Sequence, residues 1–336
     1  MVLVTGGTGL VGAHLLLHLL ENGHAVRAIY RNRNTVEKTK SLFKFSQKEG
    51  LFQQIEWLEA DILDVPSLEI AFKNIQYVYH CAAVISFDPK DENLLRKVNI
   101  EGTANIVNFC IHNKIKKLCY ASSIATLGDL AQNETVLSET SEWNPEMYHS
   151  DYAISKYGAE LEVWRGFQEG LSVVIVNPGV ILGSTIWTEG SGAIFTKVKK
   201  GLSFYTKGQT AYVGVQDVVK AMMQLMQSAI SGERFCMVSE HLTYEEIIKS
   251  VAEKTKKAPP KYYAKPWLTG IVWRLDWFVS TFFGTKRTMS KYAATTIHTV
   301  DSYDNAKIKN PEVSGLNFEF QSIDYVIDNI LMLKKN

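Results

Sequence analysis

The sequence has almost no excess of charge of either sign. Its 336 residues include 36 Lys and Arg against 35 Asp and Glu, which leaves a formal net charge of +1. A protein that binds nucleic acid by broad phosphate neutralisation needs a basic surface. The charge balance therefore argues against a nucleic-acid partner, although it leaves room for one small basic pocket.

Cysteine is also scarce. The four residues Cys81, Cys110, Cys119 and Cys236 have no CxxC spacing and no neighbouring set of His ligands. The pattern therefore predicts neither a metal site nor a disulfide framework. Free thiols are typical of a reducing compartment, and we expect a cytoplasmic protein.

Long apolar runs are missing as well. No stretch of eighteen or more uncharged apolar residues occurs, so the sequence predicts no membrane-spanning helix. The Leu-rich segment 15–20 is short and follows glycines rather than a basic stretch, so we do not expect a signal peptide. A chain of this length is long enough for about two folding units with a sizeable core.

The first half of the chain alternates short apolar runs with helical patterns. Predicted strands lie at 2–4, 25–30, 55–58, 77–81, 117–121 and 172–176, and predicted helices at 10–22, 67–73, 94–112 and 148–168. Such alternation is typical of right-handed crossovers between parallel strands. The predicted fold class is therefore α/β, with a doubly wound parallel sheet.

The alternation of predicted strands and helices ends after Pro178. A segment rich in Gly, Ser and Thr is followed by a helical pattern at 216–228, a strand at 235–238 and a mainly helical remainder interrupted by prolines. We predict a first domain at 1–177, to which 210–238 return. The smaller, mainly helical C-terminal part, 178–209 and 239–336, is predicted to bind substrate.

The segment TGGTGLVG, residues 5–12, lies directly between the first predicted strand and the first predicted helix. In such a turn Gly6 permits the tight bend, Gly9 lets the backbone approach a pyrophosphate, and Gly12 permits close packing of the helix. The helix N-terminus attracts the negative charge. Glycine-rich turns also serve purely structural purposes, but the position between strand and helix indicates dinucleotide binding.

The end of the second predicted strand indicates which dinucleotide binds. NAD binders usually place Asp or Glu there for the ribose 2′-hydroxyl, whereas the 2′-phosphate of NADP needs a cation. This sequence has Arg31 and Arg33, with Lys38 nearby, and no acid before Glu37. The pattern favours NADP(H) and leaves NAD(H), or a solvated basic loop without a ligand, as alternatives.

Tyr152 and Lys156 lie four residues apart, on one face of a predicted helix. A phenol that exchanges protons near neutral pH needs a nearby positive charge, because its ordinary pKa is about 10. The same spacing recurs at Tyr303 and Lys307, so it decides nothing alone. Only the first pair has a serine partner, at 122–123, where the carboxyl end of the fifth strand meets the ligand crevice.

Together these residues resemble the extended short-chain dehydrogenase/reductase family, which includes nucleotide-sugar epimerases, dihydroflavonol reductases and hydroxysteroid dehydrogenases. The resemblance implies a Rossmann-type NAD(P)-binding domain and a homodimer. Within the family, the basic segment 27–38 is closest in pattern to the dihydroflavonol reductase and hydroxysteroid dehydrogenase-like branch. The matching residues are the TGGTGLVG turn, Asp61-Ile62, His80-Cys81-Ala82-Ala83, Asn99, Ser122-Ser123, the YAISK segment, Asn177-Pro178-Gly179 and Val215-Gln216-Asp217-Val218.

The resemblance also implies roles for individual residues. Tyr152 matches the catalytic acid/base, and Lys156 matches the residue that binds the nicotinamide ribose and lowers the tyrosine pKa. Ser123, five residues before Gly128, matches the partner of the substrate oxygen, and Asn99 an asparagine that supports the proton path. Besides Tyr152 and Lys156, the implied cofactor contacts are Gly6, Thr8, Gly9, Leu10, Val11, Gly12, Arg31, Lys38, Asp61, Ile62, Ala82, Ala83, Asn177, Pro178 and Gly179.

Some of these residues also have a purely structural explanation. Asp61 is suited to capping a turn, and Asn99 to bonding backbone alone. Ala82 and Ala83 are suited to simple packing. The sequence leaves these alternatives open.

Aromatic residues are frequent around the predicted substrate-binding part. An aromatic crevice suits a flat or apolar carbonyl compound, whereas a nucleotide sugar needs cations for its pyrophosphate. Lysines between 197 and 207 are possible partners for that pyrophosphate, so a nucleotide sugar stays an alternative substrate. The aromatic residues are Phe87, Trp143, Trp187, Phe195, Phe204, Tyr205, Tyr262, Tyr263, Trp267, Trp273, Trp277, Phe278, Phe282 and Phe283.

One aromatic stretch, at 267–283, has two apolar stripes at helical spacing. We predict a helix buried against the second domain or against a dimer partner. A lid over an apolar substrate is a second interpretation. Shallow membrane contact is the third and least favoured interpretation, because the stretch lacks the cationic face that is typical of such helices.

The leading hypothesis is an NADP(H)-dependent oxidoreductase that interconverts a ketone or aldehyde and an alcohol. The alternative is a nucleotide-sugar epimerase or dehydratase with a tightly bound NAD(P), in which Tyr152 and Lys156 would act in the same way. A third hypothesis is a non-catalytic dinucleotide sensor. The complete set of Ser123, Tyr152 and Lys156 argues against it.

Overall fold

The computed structural model describes residues 1–184, 192–283, 285, 287 and 289–332. Its strands are β1 (Val2–Thr5), β2 (Val26–Tyr30), β3 (Glu56–Glu59), β4 (Tyr77–His80), β5 (Lys117–Ala121), β6 (Val173–Pro178), β7 (Val180–Leu182), β8 (Phe204–Tyr205), β9 (Gln209–Gly214), β10 (Glu233–Met237), β11 (Glu240–Thr243) and β12 (Tyr262–Tyr263). Its helices are α1 (Leu10–Glu21), α2 (Val36–Phe45), α3 (Glu49–Phe52), α4 (Val65–Ala71), α5 (Glu92–Leu95), α6 (Gly102–His112), α7 (Asp151–Gln168), α8 (Ala193–Lys200), α9 (Val215–Gln227), α10 (Tyr244–Lys254), α11 (Pro266–Phe283), α12 (Lys291–Thr296), α13 (Ala306–Lys309), α14 (Pro311–Ser314) and α15 (Ile323–Met332).

The largest sheet has seven parallel strands in the order β10-β6-β5-β4-β1-β2-β3. Its apolar residues alternate between two cores: Val2 and Val4 of β1 pack in one cluster, and Leu3 packs in the other. Successive side chains of a strand point to opposite faces, so continuous apolar strands such as these require helices on both sides. The predicted doubly wound, Rossmann-type sheet is confirmed.

The strand order of this sheet reverses at β1. Strands β2 and β3 lie on one side of β1, and β4 and β5 lie on the other. In open α/β sheets, ligands bind outside the carboxyl ends of the strands at such a switch point. Because β1 and β4 pair as far as Thr5 and His80, the turns that follow these two strands form the walls of one crevice.

The later part of the chain contains more strand than the sequence predicts. β9 pairs antiparallel with β11 and parallel with β7, and β8 pairs with β12. These strands have six residues at most, too few for a clear period of two. In contrast, β10 joins the large sheet beside β6. The domain limits near 177, 209 and 239 stay a prediction.

Several helix boundaries differ from the predicted ones by one to three residues. The helix predicted at 148–168 begins at Asp151, because the Ser150 hydroxyl accepts the Ala153 N–H at 3.1 Å and caps it. The helix predicted at 94–112 begins at Glu92 and contains a π-helical turn, Arg96–Glu101, between α5 and α6. Such turns are frequent at functional sites.

Candidate active site

The glycine-rich turn between β1 and α1 is crowded by backbone. Gly6 has a φ of +70°, and a Cβ at this position would lie 2.7 Å from the Ala82 nitrogen. A Cβ on Gly12 would collide with the Gly6 carbonyl. Gly9 caps α1 without a side-chain hydrogen bond, so the first N–H groups of the helix are available to an anion. The predicted reasons for glycine at positions 6 and 12 are therefore visible in the backbone.

A cavity of about 310 Å³ opens beside this turn. Among its lining residues, Arg31 and Lys38 supply positive charge and none supplies a carboxylate. A glycine cradle, a helix N-terminus and two cations fit the phosphates of a dinucleotide. The cavity is lined by Gly6, Thr8, Gly9, Ile29, Tyr30, Arg31, Thr35, Lys38, Ala60, Ile62, Cys81, Ala82, Ala83 and Val98.

The structure brings eight of the seventeen predicted cofactor contacts to this cavity. Leu10 and Val11 lie in the first turn of α1 and pack partly against the core. Asp61 has a structural role, since its carboxylate accepts the Leu63 N–H at 3.0 Å. Gly6, Thr8, Gly9, Arg31, Lys38, Ile62, Ala82 and Ala83 all line the cavity.

The basic segment 27–38 does not act as one patch. The Arg27 guanidinium donates to the Ala71 and Lys73 carbonyls at 2.8 Å, at the end of α4, and pairs with Glu56 at 2.8 Å. Arg27 therefore stabilises the C-terminus of α4 and does not line the cavity. Arg31 is the arginine of this segment that reaches the cavity.

The predicted contacts at the end of β6 have structural partners instead. Asn177 is fully buried, and its amide donates to the Thr126 hydroxyl at 2.9 Å and to the Ser123 carbonyl at 3.2 Å. A Cβ on Gly179 would lie 2.6 Å from the Ala211 carbonyl oxygen. Pro178, between them, is buried at the strand end. These three residues support the loop of Ser123 and the approach of β9, and they do not line the 310 Å³ cavity.

Tyr152 and Ser123 face each other across the crevice. Tyr152 lies in the first turn of α7, and Ser123 follows β5 directly. Removal from solvent raises the pKa of Tyr152, and a side-chain hydrogen bond with Ser123 opposes the shift. The net direction is upward, opposite to the lowering that the resemblance implies, so the phenol is protonated near neutral pH.

Lys156, one helical turn beyond Tyr152, is fully buried. Its ammonium group donates to the Tyr120 hydroxyl at 2.6 Å and to the Ala121 carbonyl at 2.9 Å. Burial lowers its pKa to about 7, although the Glu160 carboxylate favours the charged form. Near neutral pH this lysine therefore changes charge readily.

A buried chain of hydrogen bonds reaches Lys156 from the other wall of the crevice. The Thr5 hydroxyl lies 2.6 Å from His80 Nδ1, and His80 Nε2 lies 3.0 Å from the Thr103 hydroxyl. Thr103 bonds in turn to Tyr120, which receives the Lys156 ammonium. Burial and the nearby Lys156 lower the pKa of His80 to about 3, so its ring is neutral.

The sequence analysis missed Tyr120. The alternation along β5 could have found it, because this residue packs in the same core cluster as the inner face of α7. Its ring also stacks on His80, with 5.4 Å between ring centroids. Tyr120 of β5 thus positions the Lys156 side chain of α7.

Asn99 lies in the π-helical turn and uses its side chain within the protein. Its amide oxygen accepts the Val84 N–H at 2.8 Å, and its amide nitrogen donates to the Val84 carbonyl at 3.0 Å and to the Ser155 hydroxyl at 2.9 Å. These bonds join the loop after β4 to α7 next to Lys156. The described contacts make Asn99 a positioning residue.

Glu160 is a second residue that the sequence analysis missed. It continues the series of Tyr152 and Lys156 at spacings of four along α7, a signal that was available in the sequence. Its buried carboxylate pairs with Arg234 of β10 at 3.0 Å and accepts the Ser122 hydroxyl at 2.5 Å. Ser122 is thereby fixed, and Ser123 is the serine of the pair that reaches Tyr152.

Aromatic rings surround the mouth of the crevice beside Tyr152. Phe87 lies edge-on to Tyr152 with 5.6 Å between centroids, and parallel to Tyr292 of α12 at 6.1 Å. Tyr148 lies 6.2 Å from Tyr292. We call Phe87, Tyr148 and Tyr292 the aromatic mouth. Of these three, the sequence analysis named only Phe87.

Most of the other aromatic residues predicted for the substrate crevice lie elsewhere. Trp143 stacks on His149 and Tyr157, with centroid distances of 3.7 Å and 4.2 Å, at a separate cavity. Phe195 is buried in the core of the later part of the chain. Trp187 lies outside the described residues. The predicted aromatic crevice is therefore built from fewer and partly different rings.

Comparison with known proteins identifies the family. Residues 2–237 match the model of the NAD dependent epimerase/dehydratase family. The chain belongs to this family. Its homologues are dihydroflavonol reductase-like members of the extended short-chain dehydrogenase/reductase type, in agreement with the resemblance of the sequence motifs.

Individual relatives agree with this assignment. Tetraketide alpha-pyrone reductase 2 of Arabidopsis thaliana is 29% identical over 271 residues, which cover 76% of this chain and 83% of the relative. A putative dihydroflavonol 4-reductase of Synechocystis is 29% identical, over 79% of this chain and 75% of its own length. The crystal structure of UDP-glucose 4-epimerase from Thermotoga maritima superposes with a TM-score of 0.77 at 20% identity, covering 99% of this chain and 98% of that chain.

These comparisons establish an NAD(P)-dependent enzyme of the extended short-chain dehydrogenase/reductase type. The structural likeness at this identity extends to the fold alone. The identity of the substrate and the choice of cofactor have to be argued from the site.

Proposed function

We propose that this enzyme is an NADP(H)-dependent oxidoreductase that interconverts a ketone or aldehyde and an alcohol. The observation that carries the proposal is the hydrogen-bonded pair of Tyr152 and Ser123, one helical turn from the buried ammonium group of Lys156. When bound, the nicotinamide supplies or accepts the hydride. The chain itself has to hold the substrate oxygen and move its proton.

In the reduction direction, the Ser123 hydroxyl donates a hydrogen bond to the carbonyl oxygen of the substrate. Tyr152 then gives its proton to that oxygen. The raised pKa of Tyr152 keeps the proton in place until charge develops on the substrate. Lys156 stabilises the phenolate that remains, and its contact with Tyr120 holds the ammonium group at the required position.

The preference for NADP(H) is supported by the charge of the 310 Å³ cavity. Arg31 and Lys38 line it, and the described lining contains no Asp or Glu for a ribose hydroxyl. A guanidinium meets a phosphate through charge-assisted hydrogen bonds, which contribute about 1.5–3 kcal/mol. NAD(H), without the phosphate, would leave these cations without that interaction.

The aromatic mouth supports a substrate with a flat or apolar body. Phe87 contacts both Tyr152 and Tyr292, so a planar group placed there lies close to the proton donor. Aromatic pairs contribute about 0.5–1.5 kcal/mol beyond burial. This argues for an aromatic or apolar carbonyl compound over a nucleotide sugar.

The test is turnover with NADPH and two matched panels, one of aromatic ketones and aldehydes and one of small aliphatic carbonyl compounds. We expect one NADPH oxidised per alcohol formed, with higher kcat/KM for the aromatic panel. Tyr292→Ala should lower kcat/KM about three- to tenfold for the aromatic panel only. Tyr325→Ala, at an exposed tyrosine of α15, is the control and should change neither panel.

Two outcomes would contradict the proposal. Conversion of a UDP- or dTDP-sugar with no net change in NADPH would identify an epimerase or dehydratase. Tight NADPH binding with no turnover across all panels would identify a sensor. The homodimer and the cytoplasmic location stay predictions, and the mass of the protein in solution tests the first of these.

A further inference from the structure

Helix α11 presents its apolar side to solvent and its polar side to the protein. Thr269 and Ser280 are the buried residues of this helix. In contrast, the large apolar side chains are exposed by 46% to 73% at Trp267, Ile271, Leu275, Phe278, Phe282 and Phe283. At about 100° per residue, these six span about 160° of the helix circumference. The apolar face of this helix is therefore not buried within the chain, and its predicted burial against a dimer partner stays a prediction.

Polar contacts fix this orientation. The Thr269 hydroxyl donates to the Ala294 carbonyl at 3.2 Å and lies 3.0 Å from His298 Nε2. On the same side, Asp276 lies 3.6 Å from Arg287, and both side chains are largely buried. The helix is held through its polar face, so the outward direction of the apolar face is built into the fold.

Two further exposed aromatic side chains belong to the β8–β12 pair, and β12 ends at Tyr263, shortly before α11 begins at Pro266. Phe204 of β8 and Tyr262 of β12 are exposed by 50% and 61%, and their rings lie 5.7 Å apart. Together with the exposed face of α11 they form what we call the apolar platform. Apolar surface of this extent on a folded protein marks a site of association.

Among the described residues between 261 and 291, the exposed charged side chains are all cations. Lys261 and Lys265 precede α11, Arg274 lies at the edge of its apolar arc, and Lys291 follows it, all of them exposed. The one acid between 261 and 291, Asp276, is turned inward beside Arg287. The cations lie at the ends and the edge of the platform rather than along one face of α11, which is why the sequence pattern gave little weight to membrane contact.

We propose that the apolar platform docks on the surface of a bilayer that contains anionic lipids. Trp and Phe side chains flanked by cations suit the boundary between headgroups and acyl chains. Among the described residues, no helix combines the length and hydropathy that crossing a bilayer requires, so α11 lies in the interface rather than through it. The proposal does not depend on the reaction that the enzyme catalyses.

Charge favours a bilayer over a second copy of the chain. A symmetric pair uses the same surface on both copies. Pairing through the platform would place the cations of one copy against a surface whose exposed charged residues between 261 and 291 are also cations, and like charges oppose such contact. Anionic headgroups complement these cations instead.

The test is flotation of the full-length protein with vesicles of phosphatidylcholine alone and of phosphatidylcholine with phosphatidylglycerol. We expect the wild type to float with the anionic vesicles, and binding to fall at least about tenfold at high salt. Leu275→Glu/Phe282→Glu should lower binding at least about tenfold, because it places charge in the apolar arc. Both positions are exposed, so this variant should fold.

The matched control is Ile70→Glu/Val313→Glu, which adds the same charge at two exposed apolar residues of α4 and α14. It should bind vesicles like the wild type. A second readout is tryptophan fluorescence, which should shift to the blue on binding and be quenched by brominated lipids, because Trp267 and Trp277 are exposed.

Three results would overturn the proposal. The first is a wild-type protein that does not float with either vesicle. The second is equal binding by the wild type and by Leu275→Glu/Phe282→Glu. The third is a wild-type dimer, measured by light scattering, that this double variant dissociates, since the platform would then be a contact between copies.

Discussion

The chain contains the same Tyr-x-x-x-Lys spacing twice, in two very different settings. Tyr152 and Lys156 share one face of α7 above the carboxyl ends of the large sheet. Tyr303 precedes α13 and stacks on His241, whereas Lys307 pairs with Glu233 at 2.7 Å. The second pair therefore points its two groups at different partners.

The difference between the pairs lies in what surrounds them. Burial raises the pKa of both tyrosines, so burial alone does not make a proton donor. Tyr152 has a serine hydroxyl beside it, an aromatic mouth in front of it and a buried ammonium group behind it. Tyr303 lacks such a set among its described contacts. The Tyr-x-x-x-Lys spacing alone does not make an active site, because the serine, the aromatic rings and the buried ammonium group come from other strands and loops or from their packing.

The largest expected effect separates the two tyrosines. Tyr152→Phe removes the proton that the substrate oxygen receives and should lower kcat about 10²- to 10⁴-fold. Tyr303→Phe should leave kcat within about twofold, since the described contacts of Tyr303 include neither Ser123 nor Lys156. Steady-state turnover of NADPH with the best carbonyl substrate measures both variants. Equal losses in the two variants would remove the distinction.

A second contrast concerns two neighbouring arginines. Arg31 lines the 310 Å³ cavity, whereas Arg33 does not. Arg31→Ala should weaken NADPH binding about ten- to a hundredfold and leave NADH binding unchanged, because only NADPH carries the 2′-phosphate. Arg33→Ala is the matched control and should have little effect. Equal wild-type affinities for NADPH and NADH, measured by calorimetry, would refute the role of Arg31.

Lys156 should make the stability of the protein depend on pH. Burial lowers the pKa of Lys156 from 10.5 to about 7, so between these values the unfolded chain binds more protons than the folded one. The contribution of Lys156 to the free energy of unfolding should therefore rise with pH across this window, by up to about 1.4 kcal/mol per unit. Urea unfolding from pH 7 to 10 should therefore show a free energy of unfolding that increases with pH more steeply in the wild type than in Lys156→Met.

Lys307→Met is the control for this pH effect. It retains Lys156 and should therefore keep the pH dependence that Lys156 contributes. It loses a partly exposed ion pair with Glu233, which should lower the free energy of unfolding by only about 0.2–1 kcal/mol. A constant difference between wild type and Lys156→Met across the window would show that Lys156 is not held in a buried site.

The sequence predicted the first sheet well because its strands are continuous apolar runs with strong punctuation. It also predicted the glycine-rich turn, where a Cβ on Gly6 or Gly12 would meet backbone. The short strands of the later part escaped prediction, since two to six residues give no periodic signal. Tertiary contacts decided the rest: Arg27 belongs to the basic segment 27–38 in sequence, but its guanidinium binds a carbonyl at the end of α4.

The orientation of α11 could not be predicted for a related reason. Its two apolar stripes indicate a helix, and a helix was found at Pro266–Phe283. Apolar periodicity predicts which residues share a face, but the direction of that face depends on partners far along the chain, here Ala294 and His298. Tyr292 joined the candidate site through the same packing, without any local motif.

The smallest expected effect tests the support beneath Lys156. Tyr120→Phe keeps the ring that stacks on His80 but removes the hydroxyl that accepts from the Lys156 ammonium at 2.6 Å. One lost hydrogen bond corresponds to about 0.5–1.5 kcal/mol, so kcat should fall about two- to tenfold while KM changes little. The pH profile of kcat should also shift, because the hydroxyl contacts the group that titrates near pH 7. A fall in stability with an unchanged pH profile would instead make Tyr120 a packing residue, and the contrast with the Tyr303–Lys307 pair would then rest on Ser123 and the aromatic mouth alone.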